Sequence, residues 1–240
     1  MTTQTGTTFT SIIDYHRRQY DMEYASTAKL LQLLEGMHGK KDGLSVLDIG
    51  CGGGANIHHL KKKFPTWHFT GFDIDSDAIS LARDRNSDSE FGIYGIDDAV
   101  DWLAGKSFDI VLALQLATTP IRATTCIARY LPLVKQTFLS LDLYNEGPFE
   151  NDLSRKDVRT GETHCYQIDS LETVKALAKQ HSFECTAEPF EINIDLPKPP
   201  YGVSATYTEL TADGRRIQIS HPGILLPWYF VVLTRMPKDE

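Results

Sequence analysis

The stretch Leu44-Ser45-Val46-Leu47-Asp48-Ile49-Gly50-Cys51-Gly52-Gly53-Gly54-Ala55 constrains this chain more than any other. An apolar run broken by glycines, then the helical pattern of Asn56 to Phe64, reads as a strand, a tight turn and a helix N-terminus. A backbone that turns sharply and leaves room for a ligand needs residues without a Cβ. Gly50, Gly52 and Ala55 satisfy the G-x-G-x-x-G/A fingerprint of dinucleotide binders, a pattern that is weak evidence by itself. Asp48 discriminates. A carboxylate at the strand end opposes a pyrophosphate seated on the helix N-terminus, where NAD or FAD places its charge. A ligand with an ammonium group and no phosphate fits it better.

S-adenosylmethionine is such a ligand, and Asp48-x-Gly50-x-Gly52-x-Gly54 resembles motif I of the class I S-adenosylmethionine-dependent methyltransferases. The resemblance continues. After a helix ending near Lys63 and a turn at Pro65, Trp67 to Phe72 reads as a second strand that closes on Asp73-Ile74-Asp75. In the family, the acid closing this strand binds both ribose hydroxyls, a role that falls here to Asp73. A carboxylate can accept from two vicinal hydroxyls at once. The competing role for Asp73 is N-cap of the helix to Arg85, which Asp75 or Ser76 can fill instead. The resemblance also implies that Cys51 and Ile74 line the cofactor. After a short third strand, Phe91 to Tyr94, it implies that Asp97 or Asp98 accepts from the adenine amino group and that Ile96 packs on the ring. Because these acids are adjacent, one can cap the helix Ala99 to Leu103 while the other binds. Gln115 ends Phe108 to Leu114, a near-continuous apolar run typical of a strand buried on both faces, and stands where methyl group and acceptor meet in the family.

The implied fold class is a three-layer α/β/α sandwich. Its mostly parallel seven-stranded sheet has an antiparallel last strand, and a C-terminal β-hairpin is inserted. Helix Ile121 to Tyr130 and strand Thr137 to Leu143 follow the fourth strand, and helix Ser170 to His181 precedes an alternating strand, Glu184 to Ile194. Ala205 to Leu210 and Arg215 to Ser220 flank Thr211-Ala212-Asp213-Gly214, a hairpin signal because Asp-Gly supplies positive φ. Trp228 to Thr234 reads as the last, buried strand. The division expected is an N-terminal helical arm over residues 1–43 and a methyltransferase domain over 44–240, with acceptor-site insertions at about 144–167 and 196–226. The first insertion reads as a polar loop without periodicity, and long irregular segments inside compact domains are usually functional.

Composition limits the partners. A length of 240 residues with 41% hydrophobic content supports a substantial core, and a net charge of -8 argues against a nucleic-acid footprint. Four cysteines without C-x-x-C pairing suggest neither a disulfide framework nor zinc, and His58-His59 diverge on a helix, so no metal site is read. With no apolar leader and no membrane-length run, the expected home is cytoplasmic, as a monomer or homodimer. The resemblance implies that the arm Ser11 to Glu35 packs across the cofactor site, so that Tyr15, Tyr20 and Tyr24 cover the adenosine or sulfonium while Arg17 or Arg18 meets a carboxylate. A plain amphipathic helix burying these rings in the core explains the pattern equally. The expected activity is methyl transfer to an O or N atom of a small-molecule, metabolite or sugar-like acceptor, leaving S-adenosylhomocysteine. His164, His221 and Tyr166 are the candidate catalytic groups, and Tyr144 and Tyr201 are further hydrogen-bond donors to the acceptor. A non-catalytic S-adenosylmethionine-binding scaffold and an NAD-dependent oxidoreductase are the alternatives.

Overall fold

The computed structural model describes residues 12–116, 121–161, 163–200, 203, 205–220 and 223–237. The chain opens with α1 (Ile12–Asp21) and α2 (Ala25–His38), so the arm is two helices broken at residues 22–24. Next come β1 (Ser45–Ile49), α3 (Ala55–Lys63), β2 (His68–Asp73), α4 (Ser76–Arg85), β3 (Glu90–Ile93), α5 (Ala99–Trp102), β4 (Phe108–Leu114), α6 (Ala123–Tyr130) and β5 (Val134–Asn145). A hairpin of β6 (Asn151–Lys156) and β7 (Thr163–Ser170) leads into α7 (Leu171–Gln180) and β8 (Phe183–Pro189). The remainder is β9 (Thr206–Leu210), β10 (Arg216–Ser220), β11 (Ile224–Leu226) and β12 (Trp228–Arg235).

The sheet runs β3-β2-β1-β4-β5-β12-β8. The first four pairings are parallel, and β12 is antiparallel to both β5 and β8. The layers follow from period-two alternation. Leu47, Ile49, Val111 and Ala113 face α5, α6 and α7 through Ala99, Ile127 and Val174. Their neighbours Val46, Ile110 and Leu112 face α2, α3 and α4 through Leu34, Leu60 and Ile79. Each such side chain, fully buried, contributes about 1.5–3 kcal/mol of hydrophobic stabilisation. The expected three-layer sandwich with its inserted hairpin is what the chain forms.

Three local expectations change. The segment after β5 is not an irregular loop: β5 continues to Asn145, and β6 pairs antiparallel with β7 along its length. All of β6 except Arg155 is exposed, so no apolar alternation announces it; cross-strand pairing makes it a strand. The strand expected to reach Ile194 stops at Pro189, where its pairing with β12 ends. The predicted hairpin forms as β9 and β10 and gains β11, giving a separate three-stranded sheet. Among the described residues no helix is long and apolar enough to cross a membrane.

Candidate functional site

The glycine turn connects β1 to α3 at the carboxyl rim of the sheet. Gly50, Gly52 and Gly54 take φ of 65°, 51° and 79°, a left-handed region that costs other residues about 1–2 kcal/mol each. Gly54 is the N-cap of α3. A Cβ on Gly50 would lie 2.7 Å from Leu116 Cδ2, just past β4. Above Gly52 and Gly53 the space belongs to α1: a Cβ on Gly52 would lie 2.6 Å from His16 Cε1, and Gly53 N–H donates to His16 Nδ1 at 3.4 Å.

Two carboxylates flank this turn. Asp73 ends β2, and its Oδ2 accepts from Gly52 N–H at 2.8 Å while Oδ1 accepts from Asp75 N–H at 3.0 Å. Each oxygen thereby uses one of two lone pairs, leaving capacity for two hydroxyls. The competing capping role goes to Asp75, which accepts from Asp77 N–H and Ala78 N–H at the start of α4. Asp48 is 1% exposed, and its Oδ2 has no hydrogen-bond partner among the described residues. Burial first, and the Asp73 charge second, push its carboxyl from 3.8 up to about 7. An unsatisfied buried carboxylate is costly unless a cationic or donor group arrives.

The linkage has a definite sign. Between pH 4 and 7 the folded chain retains a proton on Asp48 that the unfolded chain has released, so cofactor-free stability falls as pH rises through that window. Binding an ammonium group favours the ionised carboxylate instead. S-adenosylmethionine affinity is therefore expected to rise about tenfold from pH 6 to pH 8, and Asp48→Asn to flatten the profile. Calorimetric titration across that range checks it, and a pH-independent wild-type affinity would remove Asp48 from the role.

The arm closes the site on one side. Tyr20 O–H donates to Gly53 O, accepts from Asn86 Nδ2 at 3.0 Å, and meets His58 edge-on at 4.9 Å between centroids. Burial pushes its hydroxyl up to about 12, so it acts as a neutral clamp on the turn. His59 Nε2 pairs with Gln19 O at 2.8 Å, and Thr27 on α2 donates to Asn56 on α3 at 2.9 Å. Tyr15 and Tyr24 lie with ring centroids 6.2 Å apart, and burial pushes Tyr15 up to about 12. Arg17 is taken up by Asp14 on its own helix at 3.6 Å. Nothing in the sequence singles out His16 or Asn86. A histidine in a half-apolar helix and an asparagine after α4 carry no local signal of contact with a turn about 35 residues away along the chain.

On the far side of Asp73, Ile74 is 77% exposed, an apolar side chain beside the pair of carboxylates. Asp97 is paired with Arg129 of α6, whereas Asp98 stays exposed beside Gly95. Neither side chain caps α5. Ile96 is half-buried against the core, and its carbonyl accepts from Tyr130 O–H at 2.6 Å. Cys51 is buried, and its thiol is pushed well up by burial and the two aspartates, which keeps it uncharged. Gln115 is exposed and holds φ of 61°, a strained value for a non-glycine residue at the strand end, with its N–H donating to Leu141 O at 2.6 Å.

The insertions meet beyond β5. Tyr166 is 8% exposed, and its hydroxyl pairs with Ser220 Oγ of β10 at 2.9 Å; Arg155 Nη1 donates to the same oxygen at 3.0 Å. Tyr166 and Ile168 pack with Leu143 and Leu226, so hairpin and small sheet share an apolar seam. Arg122, at the start of α6, ties the hairpin down: it pairs with buried Asp169 at 2.7 Å and with Asp152 at 2.7 Å. His164 is exposed on β7, opposite Arg155. Tyr144 is in the core, bonded to Ser140 at 2.7 Å, and so cannot reach an acceptor. His221 and Tyr201 lie outside the described residues.

Comparison with known proteins agrees with this geometry. Residues 46–136 match a family described as a methyltransferase domain. A dTDP-3-amino-3,6-dideoxy-alpha-D-glucopyranose N,N-dimethyltransferase of Streptomyces fradiae is 32% identical over 42% of this chain and 34% of its own length. A fatty-acid O-methyltransferase of Mycolicibacterium smegmatis is 34% identical over 31% of this chain and 27% of its own. The matched part is thus about a third or less of either relative. The S-adenosylmethionine-bound amino pentose methyltransferase of calicheamicin biosynthesis from Micromonospora echinaspora superposes with a TM-score of 0.55 at 14% identity, covering 97% of this chain and 100% of that one. The positive-φ glycines, the orphaned Asp48 oxygen and the spare lone pairs of Asp73 fit an ammonium-bearing, ribose-bearing cofactor and no pyrophosphate. Residues 46–136 thus match the methyltransferase domain family, and the chain as a whole has the fold of the S-adenosylmethionine-bound methyltransferase on which it superposes.

Proposed function

We propose that the chain methylates an oxygen or nitrogen atom of a small-molecule acceptor, a metabolite or sugar-like compound, by in-line displacement. The observation that carries the reading is the carboxylate pair at the ends of β1 and β2, Asp48 without a partner for Oδ2 and Asp73 with lone pairs to spare. The two select a cation and vicinal hydroxyls within one turn. When bound, S-adenosylmethionine supplies a methyl group already activated on a sulfonium. What remains for the protein is positioning, an effect worth several kcal/mol. Asp73 orients the ribose, while His16 and Tyr20 hold the glycine turn and exclude water from it. The hairpin β6-β7 and the sheet β9-β11, tied by Arg122 and by Tyr166 with Ser220, form the acceptor side. Relatives named for an amino sugar and a fatty acid support a small acceptor.

His164 is assigned the proton of an acceptor that must lose one, and His221 the same role from the other insertion. Tyr166 positions the hairpin. His164→Ala is expected to lower turnover by about tenfold or more. Tyr166→Phe, losing one hydroxyl contact to Ser220, should raise the acceptor KM with little change in S-adenosylmethionine affinity. Incubation with radiolabelled S-adenosylmethionine and a metabolite extract, followed by identification of the labelled product, supplies the acceptor for these assays. No label transferred to any metabolite would count against methyl transfer. Normal kinetics in the His164, Tyr166 and His221 variants would move the acceptor to the face at Gln115.

A further inference from the structure

A cleft of about 490 Å³ opens at the end of the sheet opposite the glycine turn. Its floor is the start of β5 and the end of β12, where Thr137 pairs with Thr234, and one wall is the C-terminal end of α2. The glycine turn instead follows the carboxyl end of β1, so the two sites lie on opposite rims of the sheet. Lys41, Lys135 and Arg235 line this cleft, and among the described residues none of its lining is acidic. That is unusual in a chain with 32 acidic and 24 basic side chains. Arg235 is held in place, its guanidinium donating to Val134 O and lying 4.4 Å from the Phe183 ring centroid. His38 adds a polar wall: it is 6% exposed, its Nε2 pairs with Thr137 Oγ1 at 2.8 Å, and its Nδ1 has no partner among the described residues. Asp109 is the nearby carboxylate, and it is already engaged by Ser45 N–H at 2.9 Å and Gln136 Nε2 at 2.9 Å.

Three cations held together on a concave surface, beside a carboxylate already hydrogen-bonded by Ser45 and Gln136, raise the concentration of anions there. A planar guanidinium beside two exposed ammonium groups, of which Lys41 is held by Gln136 Oε1, suits the oxygens of a phosphate better than a single carboxylate. We propose that this cleft is a binding site for a small polyanion of the diphosphate class, separate from the cofactor site. It asks nothing of the methyl-transfer reading and stands if that reading fails. A basic cleft facing an acidic chain also explains why Lys135 and Lys41 remain on this rim without a side-chain carboxylate partner within ion-pair distance among the described residues.

The test uses inorganic pyrophosphate and the full-length protein, with binding read by calorimetry and by the shift in Tm. Lys41 and Lys135 are exposed, so Lys41→Ala/Lys135→Ala is expected to fold normally. That variant should weaken pyrophosphate binding by about tenfold or more, equivalent to about 1.4 kcal/mol. Lys62→Ala/Lys156→Ala, which removes the same charge from exposed positions elsewhere, and Asp73→Ala should leave it unchanged. Saturating S-adenosylmethionine should not compete. Equal weakening in both lysine pairs would reduce the effect to net charge. Competition by S-adenosylmethionine would place the anion in the cofactor site, and absence of binding in the wild type would end the proposal.

Discussion

Gly52→Val is expected to reduce S-adenosylmethionine affinity by about a hundredfold and to destabilise the cofactor-free protein by about 2–4 kcal/mol. Two independent penalties act. Gly52 sits at φ of 51°, which a β-branched side chain adopts only with strain. Its Cβ would also stand 2.6 Å from His16 Cε1 and 3.1 Å from Nδ1, so the His16 ring must be driven off the turn. Moving that ring also removes the acceptor of Gly53 N–H. The penalties can be separated: in a Gly52→Ala protein, adding His16→Ala should recover the part due to the clash and leave the part due to φ. Urea denaturation and calorimetry read both. A Gly52→Val protein that binds normally would mean the cofactor does not use this turn.

Asp73→Ala is expected to weaken S-adenosylmethionine binding by about 1.5–3 kcal/mol, a factor of roughly 10 to 150. The loss has two sources. The ribose hydroxyls lose their acceptor, and Gly52 N–H loses the Oδ2 that holds it at 2.8 Å. Asp73→Asn keeps one acceptor oxygen and should fall between the two. The substitution also removes the like charge beside Asp48, so the pH at which cofactor-free Asp48 ionises should move down. Unchanged affinity measured by calorimetry would take Asp73 out of the site. A weaker affinity with no movement in the Asp48 profile would retain the hydroxyl role and assign the Asp48 shift to burial alone.

Much of the glycine turn and its flanking strand ends was legible in the residue order because its determinants are local. A glycine at positive φ, and an acid closing a strand with a helix starting three residues later, are each set by near neighbours in the chain, so the turn through Gly52 and Gly54 and the strand end at Asp73 could be read directly. The ambiguity at Asp73 was also local, and one hydrogen-bond pattern resolved it: Asp75 caps α4. The buried strand β4 was equally plain, because a strand covered on both faces needs apolar residues at every position.

What lay beyond the sequence depends on chain segments far apart. The strand β6 has no apolar pattern because both its faces meet solvent, and its identity comes from the partner strand β7. His16 became part of the turn only when α1 folded back across α3, and nothing near residue 16 records that approach. Tyr144 reads as a rim tyrosine in the sequence and is a core residue in the fold, since β5 runs two residues further than its apolar alternation suggested. The residue order by itself determined the period-two and period-3.6 elements, the three-layer fold they imply and the chemistry of the glycine turn, since these depend on backbone dihedrals and on neighbours within one or two turns of chain. Only the tertiary structure decided which of two adjacent acids is ion-paired and which stays exposed, what roofs the glycine turn and where three cations gather, because burial, desolvation and charge proximity are sums over residues that the chain brings together only when it packs.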